Sequence, residues 1–334
     1  MPRYLVTGGA GFIGAHLVRA LVERGQPVRV LDNFSTGTPA NLAHVLGQPV
    51  PQPAPGDRVR VGPVEILHGD VRDLEVCRQA CAGVEVVFHQ AAMRSVPRSV
   101  DDPQGAHAHN ATGTLHVLLA AAQAGVRRVV YASSSSVYGD DPTLPKREDQ
   151  SPAPVSPYAA SKLAGEAYCR AFARVYGLST VSLRYFNVFG PLQDPRSQYA
   201  AVIPRFITWT LRGEPLEVHG DGLQSRDFTY VDNVVDANLR AADAPDLRGE
   251  VFNVGCGERL TLLDVAAAIE RAVGREVARV HTPPRPGDVR HTLADITRAR
   301  ARLGYEPRIR FAEGIVRTVA YFAGTVMAQQ DAPP

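Results

Sequence analysis

The sequence predicts an α/β fold built on a Rossmann-type, doubly wound parallel sheet, and two observations carry this prediction. An apolar strand at residues 4–6 runs into a glycine-rich turn, which opens an apolar helix that continues to about Arg24. Strands and helices then alternate, with apolar runs at 64–67, 84–88 and 127–132 and helical segments near 74–81 and 112–124. Such alternation is typical of a parallel sheet covered by helices on both faces.

The glycine-rich turn has the arrangement that binds dinucleotides. Its sequence is T-G-G-A-G-F-I-G over residues 7–14, and the following strand, 28–31, ends in Asp32. Gly8, Gly11 and Gly14 allow a tight turn and a close approach of the backbone to a pyrophosphate, which the helix N-terminus stabilises. Asp32 lies 18 residues after Gly14, where an acid binds the adenosine ribose and repels a 2′-phosphate. The pattern therefore predicts NAD rather than NADP as cofactor.

A tyrosine and a lysine, Tyr158 and Lys162, have the spacing that places two side chains on one face of a helix. A lysine ammonium beside the phenol is expected to lower its pKa and to let it exchange a proton with a substrate hydroxyl. A serine run at 133–136 follows the strand 127–132, at the sheet edge where α/β proteins bind ligands. The alternative is an amphipathic helix with a half-buried tyrosine and a surface lysine.

Composition excludes several classes of function. The chain has 334 residues, enough for two lobes of one compact unit, and its net charge of +2 comes from interspersed acids and bases, which argues against nucleic-acid binding. Because no apolar run approaches about 18 residues, no membrane span is expected. The N-terminus lacks the apolar region of a signal peptide, so we expect a cytoplasmic protein.

The cysteines and histidines predict no metal site. The four cysteines form no C-x-x-C pair, and the ten histidines show no H-E-x-x-H spacing. Cys77 and Cys81 have helical spacing that would suit a metal, but small buried side chains in a reducing compartment are the better interpretation. The proline-rich segment 48–63 is predicted to be an extended surface loop, inert by default.

Together these residues resemble the extended short-chain dehydrogenase/reductase superfamily over nearly the whole chain. The nearest likeness is to nucleotide-sugar 4-epimerases, especially UDP-N-acetylglucosamine 4-epimerases. Beyond the features above, the stretches that carry it are G-D-V-R-D at 69–73, H-Q-A-A at 89–92, V-Y-G at 137–139, R-Y-F-N-V-F-G at 184–190, Y-A-A-V-I-P at 199–204, S-R-D-F at 225–228 and R-P-G-D-V-R-H at 285–291.

The resemblance implies a C4 epimerisation of a UDP-sugar with a permanently bound NAD. Tyr158, as phenolate, would take the proton of the C4 hydroxyl while hydride passes to NAD, and the 4-keto sugar would turn and receive the hydride on its other face. Ser134 would hydrogen-bond O4, and Lys162 would tune Tyr158 and bind the nicotinamide ribose. The remaining cofactor-binding residues implied are Gly8, Gly11, Phe12, Ile13, Gly14, Asp32, Asn33, Asp70, Val71, Gln90, Ala91, Ala92, Arg94, Asn110 and Tyr185.

The resemblance also implies a smaller C-terminal α/β lobe that binds the UDP-sugar. Arg226 and Arg285 would hold the diphosphate, in keeping with the fit of guanidinium groups to phosphate oxygens, although each could instead form a surface ion pair. Asn187 would contact a sugar phosphate and Asp288 the uridine ribose. The other substrate-binding residues implied are Ser134, Ser135, Tyr199, Ala201, Val202 and Thr292.

Thr292 falls where epimerases restricted to non-acetylated sugars carry a bulky tyrosine. A small residue there would leave room for an N-acetyl group, so we hypothesise that UDP-GlcNAc and UDP-GalNAc are accepted, alongside or instead of UDP-Glc and UDP-Gal. The alternative is that Thr292 merely packs in a loop.

Related activities remain as alternatives. Dehydratases carry Asp-Glu, or at least Glu, where this chain has Ser135 and Ser136, and decarboxylases carry Glu at Ser136; serine is a poor general acid or base. UDP-glucuronate 4-epimerases share the serine run but usually lack the asparagine found here at Asn187. A non-catalytic NAD-binding scaffold or sensor is the alternative outside enzymology, because fold does not fix function.

The expected organisation is an NAD-binding domain at 1–180, a mainly UDP-sugar-binding lobe at 181–326 with segments returning to the first domain, and a disordered tail at 327–334. The resemblance further implies a homodimer through a four-helix bundle made by the helices at 112–124 and 158–176. Within the second helix, Ala164, Ala167, Ala171 and Phe172 would suit close packing.

Overall fold

The computed structural model describes residues 2–195, 201–283 and 289–330. Its strands are β1 (Tyr4–Thr7), β2 (Val28–Asp32), β3 (Arg58–Val61), β4 (Val64–His68), β5 (Val86–His89), β6 (Arg128–Ser134), β7 (Ser179–Tyr185), β8 (Val188–Phe189), β9 (Leu216–His219), β10 (Ser225–Arg226), β11 (Thr229–Tyr230), β12 (Glu250–Val254), β13 (Leu260–Thr261) and β14 (Arg279–Thr282).

The helices alternate with these strands through the first half of the chain and dominate the second. They are α1 (Phe12–Glu23), α2 (Pro39–Leu46), α3 (Leu74–Cys81), α4 (Val96–Asp101), α5 (Pro103–His107), a π-helical turn (Ala108–Thr112), α6 (Gly113–Gln123), a 3₁₀ turn (Ser135–Tyr138), α7 (Pro157–Val175), α8 (Val202–Arg212), α9 (Val231–Asp243), α10 (Leu262–Val273), α11 (Thr297–Leu303) and α12 (Phe311–Gln330).

The central sheet confirms the predicted Rossmann-type fold. Among the described residues it has eight strands in the order β12-β7-β6-β5-β1-β2-β4-β3, and every pairing is parallel except that of β3 with β4. The strand order reverses between β1 and β5, which is the topological switch point where such sheets bind ligands. Strands β7 and β12, from the C-terminal half, extend this sheet.

Two buried arginines tie helices to the start of the sheet strands. Arg29 on β2 donates to the carbonyl oxygens of Ala80 and Ala82 at 2.8 Å each, at the end of α3. Arg128 on β6 similarly donates to carbonyl oxygens at the end of α9, including that of Ala241 at 3.0 Å. Each guanidinium satisfies helix C-terminal carbonyls that would otherwise be buried without a donor.

The smaller lobe has a core of its own. Phe189, Phe206, Phe228 and Phe311 pack with the apolar faces of α8, α10 and α12, and β9 pairs in parallel with β14 beside them.

Two sequence-based expectations need correction. The segment 48–63 was expected to be a loop, but β3 lies within it and pairs antiparallel with β4. Four residues among prolines gave too short a pattern to distinguish from a loop. The expected disordered tail at 327–334 is helical as far as Gln330, because α12 continues, and residues 331–334 lie outside the described range.

Candidate active site

The glycine turn between β1 and α1 forms the floor of a deep cavity at the switch point of the sheet. Gly8 has φ +68°, and a Cβ there would come within 2.7 Å of the backbone nitrogen of Ala91. A Cβ on Gly14 would lie 2.1 Å from the carbonyl oxygen of Gly8. Both positions therefore require glycine, and the first residues of α1, Phe12 to Gly14, line the cavity.

We call this space the glycine-turn cavity, and most of the predicted cofactor residues line it. Those that do are Gly8, Gly11, Phe12, Ile13, Gly14, Asp32, Asn33, Val71, Gln90, Ala91, Ala92, Arg94, Tyr158, Lys162 and Tyr185.

Asp32 closes one end of the glycine-turn cavity. Its carboxylate accepts hydrogen bonds from the backbone N–H groups of Ala10 at 2.8 Å and Phe34 at 2.9 Å. Burial raises the pKa of this carboxyl group, while the two backbone donors oppose the rise. The fixed carboxylate, at the end of β2 and facing the cavity, has the position and chemistry expected for a ribose-binding acid.

Two predicted cofactor residues lie behind the cavity rather than in its lining. The Asn110 side chain accepts from the N–H of Met93 at 2.8 Å and donates to its carbonyl oxygen and to the Ser161 hydroxyl, so its amide is satisfied inside the protein. Asp70 accepts from Asn33 and from Arg72, which hold its pKa well below the usual range. Both residues therefore position residues of the cavity.

Tyr158 is placed by a well-capped helix. The Ser156 hydroxyl accepts from the N–H of Ala159, Pro157 occupies the first turn, and the N–H of Tyr158 donates to the Ser99 hydroxyl at 3.0 Å. Ser134, at the end of β6, is close enough to influence the pKa of the phenol, and both residues line the same cavity. The predicted pair Ser134 and Tyr158 is thus brought together from residues 24 positions apart in the sequence.

The electrostatics at Tyr158 differ from the expectation. Burial raises the pKa of the phenol above its usual value, and the nearby Ser134 side chain and the charge of Arg94 oppose that rise. Lys162 lies with its Nζ 6.0 Å from the centre of the Tyr158 ring, and burial lowers the pKa of Lys162 to about 7. In the protein by itself the pKa of Tyr158 is therefore raised and not lowered, and the tuning of Tyr158 by Lys162 stays a prediction.

A buried ion pair supports the two strands behind the catalytic residues. Glu166, on α7, accepts two hydrogen bonds from Arg184, on β7, at 2.9 and 2.7 Å. It also accepts from the Ser133 hydroxyl at 2.5 Å, and Arg184 lies 4.6 Å from the centre of the Tyr138 ring. Consecutive serines therefore have different contacts. Ser133 joins β6 to α7 through Glu166, whereas Ser134 lines the lobe cavity beside Tyr158.

A second space, which we call the lobe cavity, opens from the glycine-turn cavity towards the smaller lobe. The two share the side chains of Arg94, Tyr158 and Tyr185 among their linings. Tyr158 therefore stands where the two cavities meet. Of the predicted substrate residues, those in the lining of the lobe cavity are Ser134, Ser135, Asn187, Val202, Arg226 and Thr292.

Of the other predicted substrate residues, the structure describes Ala201, which does not line this cavity. Ala201 lies just before α8 and serves as its N-cap residue. Tyr199, Arg285 and Asp288 fall outside the described residues, so their roles stay predictions. Thr292 Oγ lies 3.5 Å from the Asn187 side-chain oxygen, so these two residues face the same part of the lobe cavity.

The sequence reasoning missed several residues of the lobe cavity. Gln193, Arg205, Glu217, His219 and Gln224 all contribute to its lining. Arg205 pairs with Glu217 at 3.0 Å and lies 4.5 Å from the centre of the Trp209 ring. Alternation in the strand Leu216–His219 was the signal available, but only the fold shows that this strand faces the cavity.

His89 was predicted only as part of a motif, and the structure gives it a role in shaping the cavity. Its ring bridges Thr7, at 2.7 Å, and Thr114, at 3.0 Å. The Thr7 hydroxyl accepts from the N–H of Ala91, so the bridge positions the residues that line the glycine-turn cavity. Burial lowers the pKa of His89 to about 3, which keeps the ring neutral.

The residues present fit a dinucleotide. The glycine turn admits no Cβ at Gly8 or Gly14, α1 points its N-terminus at the cavity, and Asp32 presents a fixed carboxylate at the far end. Over the ranges that the structure describes, no group of three or more His, Cys, Asp or Glu side chains is placed to hold a metal ion. In the same ranges no helix has the length and apolar character of a membrane span.

Comparison with known proteins gives matches over nearly the whole chain. Residues 4–255 match the model of the NAD dependent epimerase/dehydratase family. A UDP-glucose 4-epimerase of Mycolicibacterium smegmatis is 41% identical over 321 residues, covering 96% of this chain and 98% of that protein.

Solved structures agree with these sequence matches. A UDP-N-acetylglucosamine 4-epimerase from Methanobrevibacter ruminantium, in complex with UDP-N-acetylmuramic acid, is 36% identical with a TM-score of 0.88, covering 97% of this chain and 99% of that one. A Thermus thermophilus UDP-glucose 4-epimerase in complex with NAD is 38% identical with a TM-score of 0.84, covering 96% of this chain and 99% of that one.

Proposed function

The chain belongs to the NAD dependent epimerase/dehydratase family, and from this premise we propose that it is an NAD-dependent isomerase that inverts C4 of a UDP-linked hexose or N-acetylhexosamine. The observation that carries the proposal is the position of Tyr158. Its side chain lines both the glycine-turn cavity and the lobe cavity, and Ser134 lines the lobe cavity beside it. A proton-handling group at the junction of cofactor and sugar is what a C4 inversion requires.

The chain's own residues account for the proton transfers. Tyr158, as phenolate, takes the proton of the sugar hydroxyl that Ser134 orients by a hydrogen bond, and it returns a proton to the same oxygen after the inversion. When bound, NAD supplies reversible hydride transfer at the carbon that carries this hydroxyl. Gly8, Gly11, Gly14 and Asp32 would hold it, with Lys162 at its nicotinamide ribose. Asn187, Arg226 and Arg285 would hold the sugar and its diphosphate.

The side chains that line the lobe cavity favour epimerisation over loss of water. A dehydratase needs a carboxyl group beside the sugar to remove and deliver protons. Ser135 and Ser136 stand next to Ser134, and the carboxylate in the described lining belongs to Glu217, which is paired with Arg205. Among the described residues of the site, Ser134 and Tyr158 form the proton-transfer system that epimerisation requires.

The preferred sugar is a finer part of the proposal. Thr292 and Asn187 line the lobe cavity opposite the serine run, and the small Thr292 side chain leaves space for an N-acetyl group. We therefore expect UDP-GalNAc and UDP-GlcNAc to be interconverted as well as UDP-Gal and UDP-Glc.

A homodimer through α6 and α7 completes the proposal. The outer face of α7 exposes Ala160, Ala167, Tyr168, Ala171 and Val175, a stripe of small and apolar residues at helical spacing. Val175 is 71% exposed, which favours its burial against a second copy. Phe172, which was expected in this interface, is instead 4% exposed and packs in the core of the subunit. Sedimentation of the purified protein tests this part, with Ala167→Arg expected to give a monomer.

The activity is tested with purified protein, a UDP-sugar and no added NAD. NMR of the sugar protons should show UDP-GalNAc and UDP-Gal converting to their C4 epimers, and Tyr158→Phe should abolish the conversion while bound NAD remains. Conversion that persists in Tyr158→Phe would contradict the role of the phenol. Net oxidation of the sugar, or loss of water from it, would replace the proposed reaction by another.

A further inference from the structure

The proline-rich segment has a defined structure that its sequence did not reveal. We call residues 48–63 the hairpin insertion; it leaves α2 and returns through β3 to pair with β4. The turn at residues 54–57, which precedes β3, is held to the end of β4. The N–H of Gly56 donates to the His68 carbonyl at 2.9 Å, and the N–H of His68 donates to the Asp57 carbonyl at 3.1 Å. The hairpin insertion thus reaches the edge of the sheet where ligands bind.

His68 joins the hairpin insertion to the segment that follows β2. Its Nδ1 lies 2.8 Å from the carbonyl oxygen of the buried Pro53, so the ring donates its Nδ1–H to the hairpin insertion. The same ring meets the Phe34 ring edge-on, with centroids 5.0 Å apart and planes at 83°. His68 is therefore hydrogen-bonded to the hairpin insertion on one side and packs against Phe34 on the other.

Phe34 needs such support because its backbone is strained. Its φ is +53°, in the left-handed region that a bulky side chain rarely adopts. In this conformation its N–H donates to the Asp32 carboxylate at 2.9 Å. The position of Phe34 therefore sets the direction in which Asp32 faces the glycine-turn cavity.

The residues on either side of Phe34 belong to the same cavity. Asn33, Ser35 and Thr36 line it, and the Asn33 side chain donates to Asp70 and accepts from the N–H of Ser35. The whole segment that surrounds the adenosine end is thus supported at Phe34 by His68 and, through His68, by the hairpin insertion.

We propose that the hairpin insertion is a positioning element for the adenosine end of the NAD site, acting through His68 and Phe34 on Asp32. It stabilises the one conformation of the 32–37 segment that binds the ribose, and so it slows the release of NAD. An epimerase that regenerates its cofactor in each cycle gains from slow release. The inference rests on the proposed NAD-dependent function, although it concerns cofactor retention and not the reaction.

The competing interpretation is that the hairpin insertion only covers the edge of the sheet. β3 shields β4, and Arg58 and Arg60 pair with Glu65 across the two strands. A purely protective strand predicts a lower unfolding temperature when it is perturbed, with no selective effect on NAD release. The two interpretations therefore separate on cofactor retention measured in folded protein.

The test compares His68→Ala with Arg60→Ala. The first substitution removes the link to Phe34, and the second removes an exposed ion pair from the same hairpin insertion while leaving that link intact. Protein loaded with radiolabelled NAD is diluted into excess unlabelled NAD, and the label that stays bound is followed over time. We expect His68→Ala to release NAD on the order of tenfold faster, as the loss of a partly buried hydrogen bond and a ring contact implies, and Arg60→Ala to release it within about twofold of the wild type.

Further measurements separate this effect from misfolding and from failure of the proposed function. Phe34→Leu, which keeps the apolar bulk but loses the edge-on contact, should also release NAD faster, and both variants should regain wild-type kcat when NAD is added in excess. Equal release rates in wild type, His68→Ala and Phe34→Leu would overturn the proposal while leaving the epimerase function in place. Wild-type protein that binds no NAD would instead overturn the function on which the proposal rests.

Discussion

The Lys162 ammonium donates a hydrogen bond to the carbonyl oxygen of Ala132 at 2.9 Å. This contact joins α7 to β6 two residues before Ser134, so the lysine that was expected to tune Tyr158 also aligns it with its serine partner. Because the buried Lys162 side chain donates to a neutral carbonyl oxygen, its positive charge costs free energy in the protein alone.

Lys162 should make stability depend on pH. Its pKa falls from 10.5 to about 7 on folding, so between these values the unfolded chain binds more protons than the native protein. The free energy of unfolding should therefore rise with pH across that window, and the cost of burying the charged lysine is fully present below about pH 7.

Lys162→Met removes the cost of burying this charge. We expect the difference in unfolding free energy between NAD-free Lys162→Met and wild type to favour the variant most below pH 7 and to shrink towards pH 10. A difference that does not vary with pH would contradict the depressed pKa of Lys162.

Arg94 should set the pH at which kcat rises as Tyr158 loses its proton. Burial raises the pKa of Tyr158, and the charge of Arg94 opposes the rise. Arg94→Gln removes that charge, so a smaller fraction of Tyr158 is phenolate at a given pH and the rise in kcat should move to higher pH. Arg94→Lys should keep the wild-type profile. Arg147→Gln, which removes an exposed charge paired with Asp149, is the control. Superimposable profiles of wild type and Arg94→Gln would rule out this electrostatic role.

Removing one member of the Glu166–Arg184 ion pair should lower the free energy of unfolding more than removing both. Its side chains are 1% and 2% exposed, so Glu166→Gln leaves a buried guanidinium without its partner and should cost about 3–5 kcal/mol of unfolding free energy. Glu166→Leu combined with Arg184→Met should recover much of that loss, because no buried charge remains. Ser133→Ala, which removes one hydrogen bond to Glu166, should cost about 1 kcal/mol. Denaturant unfolding measures all three, and a double variant as unstable as Glu166→Gln would contradict the argument.

Thr292 should determine whether acetylated sugars are accepted. Thr292→Tyr places a large ring beside Asn187 in the lobe cavity, so kcat/KM for UDP-GalNAc should fall at least about tenfold while that for UDP-Gal stays within about threefold, a difference of the size that pocket shape provides. Thr292→Ser is the matched control. Full activity of Thr292→Tyr on UDP-GalNAc would show that other residues limit the size of the sugar.

The sequence predicted the parts of this site that depend on local pattern. The cofactor site could be predicted because its parts follow one another along the chain at a fixed spacing. These parts are β1, the turn through Gly8 and Gly14, α1 and the acid at Asp32. Tyr158 and Ser134 were paired through a family resemblance, and the structure brings them together.

Contacts between distant segments were not predictable in the same way. The bond from Ser133 to Glu166 depends on which of four identical serines faces α7, and the pattern carries no such information. Asn110 was expected at the cofactor from the family resemblance, yet its amide is satisfied by Met93 and Ser161 behind the cavity. The support of Phe34 by His68 requires the position of β3, which four residues between prolines could not indicate.

The most direct test of the account is NMR of UDP-GalNAc and UDP-Gal incubated with purified protein in the absence of added NAD. The account predicts that each sugar approaches an equilibrium with its C4 epimer, without loss of water and without accumulation of NADH, and that Tyr158→Phe stops the reaction while NAD remains bound. Protein that carries NAD but inverts no UDP-sugar at C4 would contradict the proposed function.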